Sequence, residues 1–452
     1  MHKDRIEVLS NYSVNKEKRY VLYWMQEAQR IEFNQALFVA MHTANKHDLP
    51  LVILFVIKKD FKDAFRRHYV FMLEGILSLK KAFEKLNISF IIEIGDFLDT
   101  LTNYIKDAAC LIMDKSYLTH LVEVKSQVAN AALAQKCLSI MVETEVIVPV
   151  RKASTKLEYS ARTLRPKLLK QVDFYLEDFS LPKLKESIDL KNPYKDYTLE
   201  DFLPEINPSK AIKETPYFKG GYDEASKRLK NFIDQNLKDY GNNDPSLGHI
   251  STLSPYLHFG QISPNEIYQT IEAYKDTYPN AVENYLEQLL VRRELAFNFA
   301  SYQKGYDDFD HMTDSWAYET MKIHLGDKRE YIYTIDELKA AKTHDPYFNA
   351  AMNEMVKTGF MHNYMRMYWG KKIIEWSPSY KLAYETIKTL NDSYFYDGRD
   401  PNSYASIAWL FGKHDRAWTE REIFGKLRYM NANGLKRKFN IEAYVEKIKQ
   451  LK

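Results

Sequence analysis

Short apolar runs alternate with amphipathic stretches over the first 150 residues. Strands are predicted for YVLYWM (20–25), LVILFVI (51–57), ISFIIEI (88–94), CLIMD (110–114) and LSIMVETEVIV (138–148). Helices are predicted between these runs, near residues 31–46, 65–86, 96–107 and 118–135, because apolar residues recur there at helical spacing. Alternating strands and helices indicate a doubly wound parallel sheet, and the carboxyl ends of such strands commonly bind a small ligand.

The pattern changes after residue 150. Residues 151–205 are charged and contain Pro166, Pro182, Pro193 and Pro204, which predicts a long interdomain linker. From residue 206 onward only helical periodicity remains, with helices predicted near 221–239, 264–276, 279–303, 333–342, 348–375, 379–390 and 419–427. The predicted fold class is an α/β N-terminal doubly wound parallel-sheet domain (1–150), a linker (151–205) and an all-α C-terminal domain (206–452).

Composition narrows the class of protein. With 45% hydrophobic and 28% charged residues, the sequence is typical of a globular protein, and a net charge of +3 does not by itself indicate a polyanionic partner. Residues 413–438 carry eight Lys or Arg against three Asp or Glu. This local excess fits a surface that faces phosphates, and it fits a solvated helix face equally well.

Cysteine content and hydropathy bear on the compartment. Neither of the two cysteines, Cys110 and Cys137, has a partner at metal-site spacing, so the sequence predicts a reducing compartment, no disulfide and no metal site. The longest apolar run, at 51–57, is too short to span a bilayer, and the polar MHKDRIEVLS start lacks a signal-peptide pattern. A cytoplasmic protein without membrane association is expected.

Charged and large aromatic side chains are interleaved between residues 362 and 429. Trp369 follows Arg366 by three residues and precedes Trp376 by seven, so the three share one helix face and the indoles lie about 10 Å apart along its axis. Ser377 and Pro378 end this helix, and the DGRDPN run forms a turn that offers Arg366 a carboxylate partner. A single Trp is more often a core residue, but four of the six tryptophans in one polar segment favour a lined cavity.

Two further stretches carry polar side chains at helical positions. HISTLSPYLHFGQISP (249–264) is rich in hydroxyl groups, which cap a helix or bind a phosphate, capping being the commoner use. In LLVRRELAFNF, Glu294 and Asn298 lie on one side of an apolar helix. A single helical Glu is usually solvated, whereas one on an aromatic-rich face is a candidate to hydrogen-bond a buried ligand. Neither GxGxxG nor GxxxxGK[ST] is present, so no nucleotide fingerprint marks the sheet.

Together these stretches resemble the class II cyclobutane pyrimidine dimer photolyases of the photolyase/cryptochrome family. The matching motifs are, in order, YVLYWMQEAQR, ETEVIVPV, EYSARTLRPK, LSPYLHFGQIS, VRREL, MHNYMRMYWGKKIIEW, LNDSYFYDGRDPN, HDRAW and FGKLRYM. The resemblance covers nearly the whole chain and implies an α/β domain, a linker and a helical domain that holds FAD. It also implies a carbon–carbon lyase, in which excited, reduced anionic FAD passes an electron to a flipped-out dimer and the cyclobutane ring opens.

The resemblance assigns roles to individual residues. The implied FAD-binding residues are Tyr240, Ser251, Thr252, Leu253, Ser254, Arg366, Asn391 and Asp397, with Asn391 beside flavin N5 and Arg366 paired with Asp397. The implied catalytic residues are Glu294, Arg366, Met367, Asn391 and Asp397, of which Glu294 and Met367 touch the lesion. Trp409 and Trp418 are implied as walls of the lesion pocket, Arg428 as the group that fills the gap in the duplex, and Trp369 and Trp376 as electron carriers.

Three positions depart from the family pattern. Asn242 in YGNNDP stands where the family usually has Arg, in a shortened loop, which puts one DNA-backbone contact in doubt. The span between Trp409 and the HDR motif is one residue shorter than usual. Phe348 replaces the Trp expected one step beyond Trp369 in the electron-transfer path.

The implied partner is UV-damaged DNA, in the nucleoid or, in a eukaryote, in the nucleus. The protein is expected to act as a monomer without an obligate protein partner, and an antenna chromophore of unknown identity is a further option for the N-terminal domain. Two alternatives stay open: a cryptochrome-like photoreceptor that uses the same flavin pocket for signalling, and a flavoprotein or nucleic-acid-binding module without repair. The retained Glu294, Met367, Trp409, Trp418 and Arg428 favour repair.

Overall fold

A six-stranded sheet forms the core of the N-terminal part in the computed structural model, which describes residues 1–177 and 179–451. Its strands are β1 (Ile6–Val8), β2 (Tyr20–Trp24), β3 (Leu51–Ile57), β4 (Ser89–Ile94), β5 (Ala108–Asp114) and β6 (Leu138–Val142), in the order β1-β6-β5-β2-β3-β4. Strands β2 to β6 are parallel, which confirms the predicted sheet. The antiparallel edge strand β1 was not predicted, because only three residues of a polar segment form it.

Helices cover both faces of this sheet. They are α1 (Gln35–His47), α2 (Arg66–Lys85), α3 (Phe97–Ile105) and α4 (Thr119–Ala134). Helices α1 and α2 contribute to one apolar cluster with the sheet, and α3 and α4 contribute to the cluster on the opposite face. All seven residues of β3 are buried for this reason, and such double burial explains why the strands are continuous apolar runs.

The last predicted strand is too long. Strand β6 ends at Val142, and residues 143–149 form a loop instead of continuing to 148. The Glu143 carboxylate causes this bend, since its Oε1 accepts hydrogen bonds from the Tyr117 hydroxyl (2.6 Å) and from the Val150 N–H (3.1 Å). Residues 143–149 therefore turn away from the sheet toward the helical part of the chain.

A cavity of about 140 Å³ lies at the carboxyl ends of the parallel strands. The strand order reverses between β2 and β5, and the cavity is lined there by Gln26, Glu27 and Lys58 from the sheet domain and by His258 and Asp400 from the helical part. This is the position at which doubly wound sheets bind ligands.

The segment predicted as a linker is partly helical. It contains α5 (Val150–Ala153), α6 (Ala161–Leu169), α7 (Val172–Tyr175) and α8 (Leu199–Ile206). Its first part packs on the helical domain, because Leu164 and Leu168 on α6 are buried in an apolar cluster with residues of that domain. Between α7 and α8 the described residues form neither helix nor strand.

The remainder of the chain is helical, as predicted. Its α-helices are α9 (Tyr222–Gln235), α10 (Ser254–His258), α11 (Pro264–Glu272), α12 (Pro279–Leu286), α13 (Arg293–Tyr302), α14 (Ser315–Ile323), α15 (Ile335–Lys339), α16 (Pro346–Thr358), α17 (Asn363–Trp376), α18 (Tyr380–Tyr394), α19 (Pro401–Leu410), α20 (Ala432–Lys438) and α21 (Ile441–Lys449). A π-helix, Glu287–Arg292, joins α12 to α13.

Two helix predictions in this part are wrong. The helix predicted at 348–375 is two helices, because Gly359 adopts a left-handed backbone (φ +74°) that ends α16. The helix predicted at 419–427 is a turn, in which Arg421 and Gly425 form an antiparallel bridge and Gly425 has a φ of +50°. None of the helices in the described residues is both long enough and apolar enough to cross a membrane.

Candidate functional site

An ion pair joins helix α17 to the turn between α18 and α19. Arg366 Nη1 and Nη2 donate to the two carboxylate oxygens of Asp397 at 3.0 and 3.1 Å, and Arg366 Nε donates to the Met361 carbonyl. The guanidinium also lies 3.9 Å from the centre of the Phe395 ring. The Arg366 side chain is 22% exposed and that of Asp397 11% exposed, so the pair keeps an open side. The sequence predicted this pair correctly.

The turn itself is fixed by buried polar groups around Asn391. The Asn391 side-chain N–H donates to Asp392 Oδ1 (2.9 Å), which also accepts the Arg399 N–H (3.0 Å). Burial raises the pKa of Asp392. Gly398 is required here, because a Cβ at this position would lie 2.7 Å from the Asn391 carbonyl oxygen. Asn391, near the end of α18, is therefore held against the turn that carries Asp397.

The hydroxyl-rich segment before α10 packs against α9. Thr252 has a left-handed backbone (φ +56°), and its Oγ1 accepts a hydrogen bond from Arg228 Nη1 (3.0 Å). Arg228 Nε donates to the Tyr256 hydroxyl (2.9 Å), and its guanidinium lies 4.4 Å from the Phe218 ring centre. The Leu253 side chain is buried, whereas Ser251, Thr252 and Ser254 are partly exposed. The segment thus presents hydroxyl groups from a strained, firmly held backbone.

Tyr240 lies beside this segment. Its ring packs edge-on against Phe232 and Tyr285, and burial raises its pKa to about 12. The Tyr285 hydroxyl in turn hydrogen-bonds Ser251, which links Tyr240 to the hydroxyl-rich segment. His258, at the end of α10, places its Nδ1 3.1 Å from Asp400 Oδ2 and so ties α10 to the turn that carries Asp397.

The two tryptophans of α17 are buried core residues with different neighbours. Trp369 packs against Phe395, and its Nε1 has no hydrogen-bond partner among the described residues. Trp376 contacts Phe348, with ring centres 5.1 Å apart, and also Tyr333 and His344. The four tryptophans predicted to line one cavity therefore form separate groups, with Trp369 near Arg366 and Trp376 farther along the helix.

Trp409, Trp418 and Arg428 form the second group. The Arg428 guanidinium lies 5.2 Å from the Trp409 ring centre and 4.2 Å from that of Trp418. Asp415 holds it in place, accepting from Arg428 Nε at 2.8 Å and from Nη2 at 3.2 Å. Trp418 is 37% exposed and Trp409 is half-buried. Two indole faces and a guanidinium are thus presented together at the surface.

Glu294 lies at the junction of the sheet domain and the helical domain. Its Oε1 accepts a hydrogen bond from the Ile147 N–H (2.5 Å), and the Val148 N–H is 3.3 Å from Oε1 and 3.4 Å from Oε2. Burial raises its pKa to about 8, although these hydrogen bonds and the nearby Arg293 and Arg5 oppose the shift. The raised pKa favours the protonated form of Glu294 at neutral pH, and its hydrogen-bond partners are backbone groups of its own chain.

The structure places seven of the fifteen predicted site residues in two clusters. Arg366, Asn391 and Asp397 form the first, and Met367, the half-buried neighbour of Arg366, lies beside it on α17. Trp409, Trp418 and Arg428 form the second. Sequence reasoning missed Arg228, because an Arg within an amphipathic helix carries no signal of its partners.

Comparison with known proteins assigns the family. Residues 21–183 match the family model described as DNA photolyase. The chain is 42% identical to the deoxyribodipyrimidine photo-lyase of Methanothermobacter thermautotrophicus over 100% of this chain and 99% of that protein. It is 36% identical to the protein of the same name from Potorous tridactylus, over 99% of this chain and 85% of that protein.

A solved structure shares the fold. The archaeal photolyase from Sulfolobus tokodaii, whose structure contains two FAD molecules, superposes with a TM-score of 0.70 at 14% identity, over 94% of this chain and 89% of that one. This likeness confirms the predicted α/β and all-α architecture. By its full-length similarity to the curated relatives, the chain belongs to the DNA photolyase family.

Proposed function

We propose that this protein is a class II enzyme that repairs cyclobutane pyrimidine dimers in DNA, using FAD held between α10, α17 and the turn at 395–400. The broader prediction, light-driven DNA repair by a lyase, is confirmed by relatives named deoxyribodipyrimidine photo-lyase that are 36–42% identical over nearly the whole chain. The site assignment rests on the bidentate ion pair between Arg366 and Asp397. Arg366 lies on helix α17, which also bears Met367 and Trp369.

The residues present suit a flavin dinucleotide. The hydroxyl groups of Ser251 and Ser254 are hydrogen-bond donors for phosphate or ribityl oxygens. The Thr252 hydroxyl donates to the Ser251 carbonyl (2.7 Å) and accepts from Arg228, which also donates to the Tyr256 hydroxyl, so Thr252 contributes by fixing the segment. When bound in its reduced form, FAD absorbs blue light and supplies the electron for ring opening.

Arg366 and Asn391 are proposed to set the charge state at the flavin ring. Asn391 uses one side-chain N–H for Asp392, which leaves the second N–H for a ligand atom. Arg366 is oriented by Asp397 and by the Met361 carbonyl, so its positive charge is fixed in direction. A fixed cation and an amide donor together stabilise an anionic ring, which supports the reduced anionic form as the active one.

The second cluster is proposed to bind the lesion. A dimer inside the duplex is out of reach, and the enzyme must stack it on its own side chains once it leaves the helix. Trp409 and Trp418 supply the stacking surfaces, and Arg428, which lies over both rings, supplies a cation for the space left in the duplex. Met367 is proposed to complete the pocket on the side of α17.

Glu294 is proposed to donate a hydrogen bond to the dimer. A carboxyl group with a pKa of about 8 carries a proton at pH 7. Its Oε1 accepts from the Ile147 and Val148 N–H groups, so the proton is placed on Oε2, whose one hydrogen-bond contact among the described residues is the long one with the Val148 N–H. A neutral donor of this kind stabilises negative charge that develops on a pyrimidine carbonyl.

Trp369 and Trp376 are proposed as electron carriers for the reduction of oxidised flavin. The cavity of about 140 Å³ at the carboxyl ends of the parallel strands is the proposed binding site of an antenna chromophore, to which no identity is assigned. We also propose that the enzyme acts as a monomer without an obligate protein partner, in the compartment that holds the DNA.

One assay tests the repair function. Purified protein, chemically reduced, is mixed with a duplex that contains a single thymine dimer and is illuminated with blue light. Restored thymines appear only in illuminated samples with reduced protein. A protein that releases no flavin on denaturation contradicts the FAD assignment, and a flavin-containing protein that leaves the dimer intact favours the photoreceptor alternative.

A further inference from the structure

Lys371 is a buried lysine at the contact between helices α17 and α19. Its side chain is 1% exposed, and its Nζ donates a hydrogen bond of 2.6 Å to the carbonyl oxygen of Leu410, the last residue of α19. The same Nζ lies 5.6 Å from the centre of the Trp409 ring and 5.9 Å from that of Phe424. Burying an ammonium group is costly, so an apolar residue would be the usual choice at such a position.

The hydrogen bond from Lys371 satisfies a backbone carbonyl group at the C-terminus of α19. The Ala408 carbonyl accepts the Phe411 and Lys413 N–H groups, and the Trp409 carbonyl accepts the Gly412 N–H. The Leu410 carbonyl accepts from the Lys371 side chain instead. A cation at a helix C-terminus is also favoured by the helix dipole. Gly412, with a left-handed backbone (φ +102°), ends α19, and Lys371 satisfies the carbonyl group of the last residue of the helix, Leu410.

The lesion-binding groups depend on this helix end. Trp409 is the penultimate residue of α19, and the loop that leaves it carries Asp415 and Trp418. Helix α17 approaches α19 closely here, because a Cβ on Gly370 would lie 2.3 Å from a Leu410 methyl carbon. The same helix α17 carries Arg366 on the proposed flavin side. Lys371 thus connects the helix of one cluster to the helix end of the other.

We propose that Lys371 is a positioning residue of the lesion pocket, whose ammonium group fixes Trp409 and the loop that follows it against α17. This role rests on the proposed repair function. Two charged groups act on Lys371: Asp415 raises its pKa and Arg428 lowers it, while burial dominates and lowers the pKa to about 7. The hydrogen bond to Leu410 is strongest when the amine is protonated, so positioning of Trp409 weakens as the pH rises through 7.

Three variants test this role. Lys371→Met removes the donor and the charge, and Lys371→Gln removes the charge but keeps an N–H donor. Lys357→Met is the matched control, because Lys357 Nζ also donates to a backbone carbonyl, that of Leu451, at 2.6 Å, outside both clusters. Binding is measured in the dark to a duplex with one thymine dimer and to the undamaged duplex, together with FAD content.

Lys371→Met is expected to weaken binding of the dimer duplex by about tenfold, as loss of one charge-assisted hydrogen bond predicts, with FAD content and binding of undamaged duplex unchanged. Lys371→Gln is expected to recover most of this loss, and Lys357→Met to bind like wild type. From pH 6 to pH 7.5, below the range in which Glu294 ionises, wild type loses affinity for the dimer duplex, whereas Lys371→Gln shows no such change.

Other outcomes overturn the proposal in distinct ways. If folded Lys371→Met keeps full preference for the dimer, or if it loses affinity equally on both duplexes, Lys371 does not position Trp409. If Lys371→Gln is as weak as Lys371→Met, the hydrogen bond to Leu410 is not the cause. If wild type itself does not prefer the dimer duplex, the repair function fails first, and the positioning role fails with it.

Discussion

Replacing Glu294 with Gln changes how the stability of the protein depends on pH. The carboxyl group is buried, accepts hydrogen bonds from the backbone at 147–148, and has a pKa raised by burial to about 8 from its usual 4.5. Gln keeps the acceptor oxygen at Oε1 and does not ionise. The variant therefore removes the titration of this one group and leaves the backbone hydrogen bonds in place.

The size and sign of the effect follow from the two pKa values. Between pH 4.5 and pH 8 the folded chain holds a proton on Glu294 that the unfolded chain has lost. The stabilisation by this proton is complete below pH 4.5 and disappears as the pH rises through 8. From pH 5 to pH 8 the free energy of unfolding of wild type falls by roughly 3 kcal/mol because of this group, and that fall is absent in Glu294→Gln.

Urea denaturation at pH 5, 6.5 and 8 measures the difference between the two proteins. Glu158→Gln is the control, because Glu158 is also buried but has a pKa of about 2. Burial by itself raises the pKa of Glu158, and the hydrogen bonds from Lys167 and Ser154 outweigh this effect and lower the pKa. Its ionisation is complete over this pH range, so Glu158→Gln changes stability by the same amount at each pH. The free energy of unfolding of Glu294→Gln increases relative to that of wild type only as the pH rises.

Parallel pH profiles for Glu294→Gln and wild type would refute this reasoning, since Glu294 would then ionise in the folded protein as easily as in the unfolded chain. The proposed donation of a hydrogen bond from Oε2 to the lesion would fail with it. Two results together would support both the raised pKa and the proposed hydrogen bond to the lesion. The stability of Glu294→Gln would depend less on pH than that of wild type, and repair would decline above pH 8 in wild type only.

Three further predictions concern the two clusters and the proposed electron-transfer path. Trp409→Ala or Trp418→Ala weakens binding of a dimer duplex by about 1–3 kcal/mol with little effect on undamaged duplex; equal losses on both DNAs in filter binding would make them core residues. Asp397→Asn breaks a bidentate pair and lowers the FAD content of purified protein, and an unchanged flavin-to-protein ratio would contradict this. Phe348→Trp speeds photoreduction of oxidised flavin and leaves repair by pre-reduced enzyme unchanged; wild type that photoreduces equally fast would indicate that a route through another residue already suffices, and a further Trp376→Phe change would show whether Trp376 carries it.

The sequence predicts the sheet domain well because its signal is local. Five apolar runs separated by amphipathic segments define the parallel strands and the covering helices. The edge strand Ile6–Val8 and the helix Ala161–Leu169 escape prediction, because the first is only three residues long and the second lies in a charged segment with Pro166 inside it. Both are stabilised by contacts with distant parts of the chain, which no local pattern records.

The candidate site likewise contains contacts that the sequence predicts and contacts that it does not. The pair of Arg366 with Asp397 is predictable, since the turn motif and the helix face are both visible in the sequence. The partners of Arg228 and Lys371 are not, because each is a basic residue on a helix whose acceptor is a backbone or hydroxyl oxygen elsewhere in the fold. Backbone acceptors have no sequence signature, and so the residues that hold the site are harder to predict than those that form it.

Glu294 is an example of a residue whose backbone hydrogen-bond partners change the role inferred from the sequence. The sequence correctly places Glu294 and Asn298 on one helix face, and Tyr302 continues that face one turn later. All three bind the backbone of residues 147–158: Asn298 accepts the Glu158 N–H at 2.8 Å, and the Tyr302 hydroxyl donates to the Ser154 carbonyl at 2.9 Å. This face therefore joins the sheet domain to the helical domain. The burial that comes with the junction is what raises the pKa of Glu294, so the same contact that makes it structural also favours the protonated form that the proposed hydrogen bond to the lesion requires.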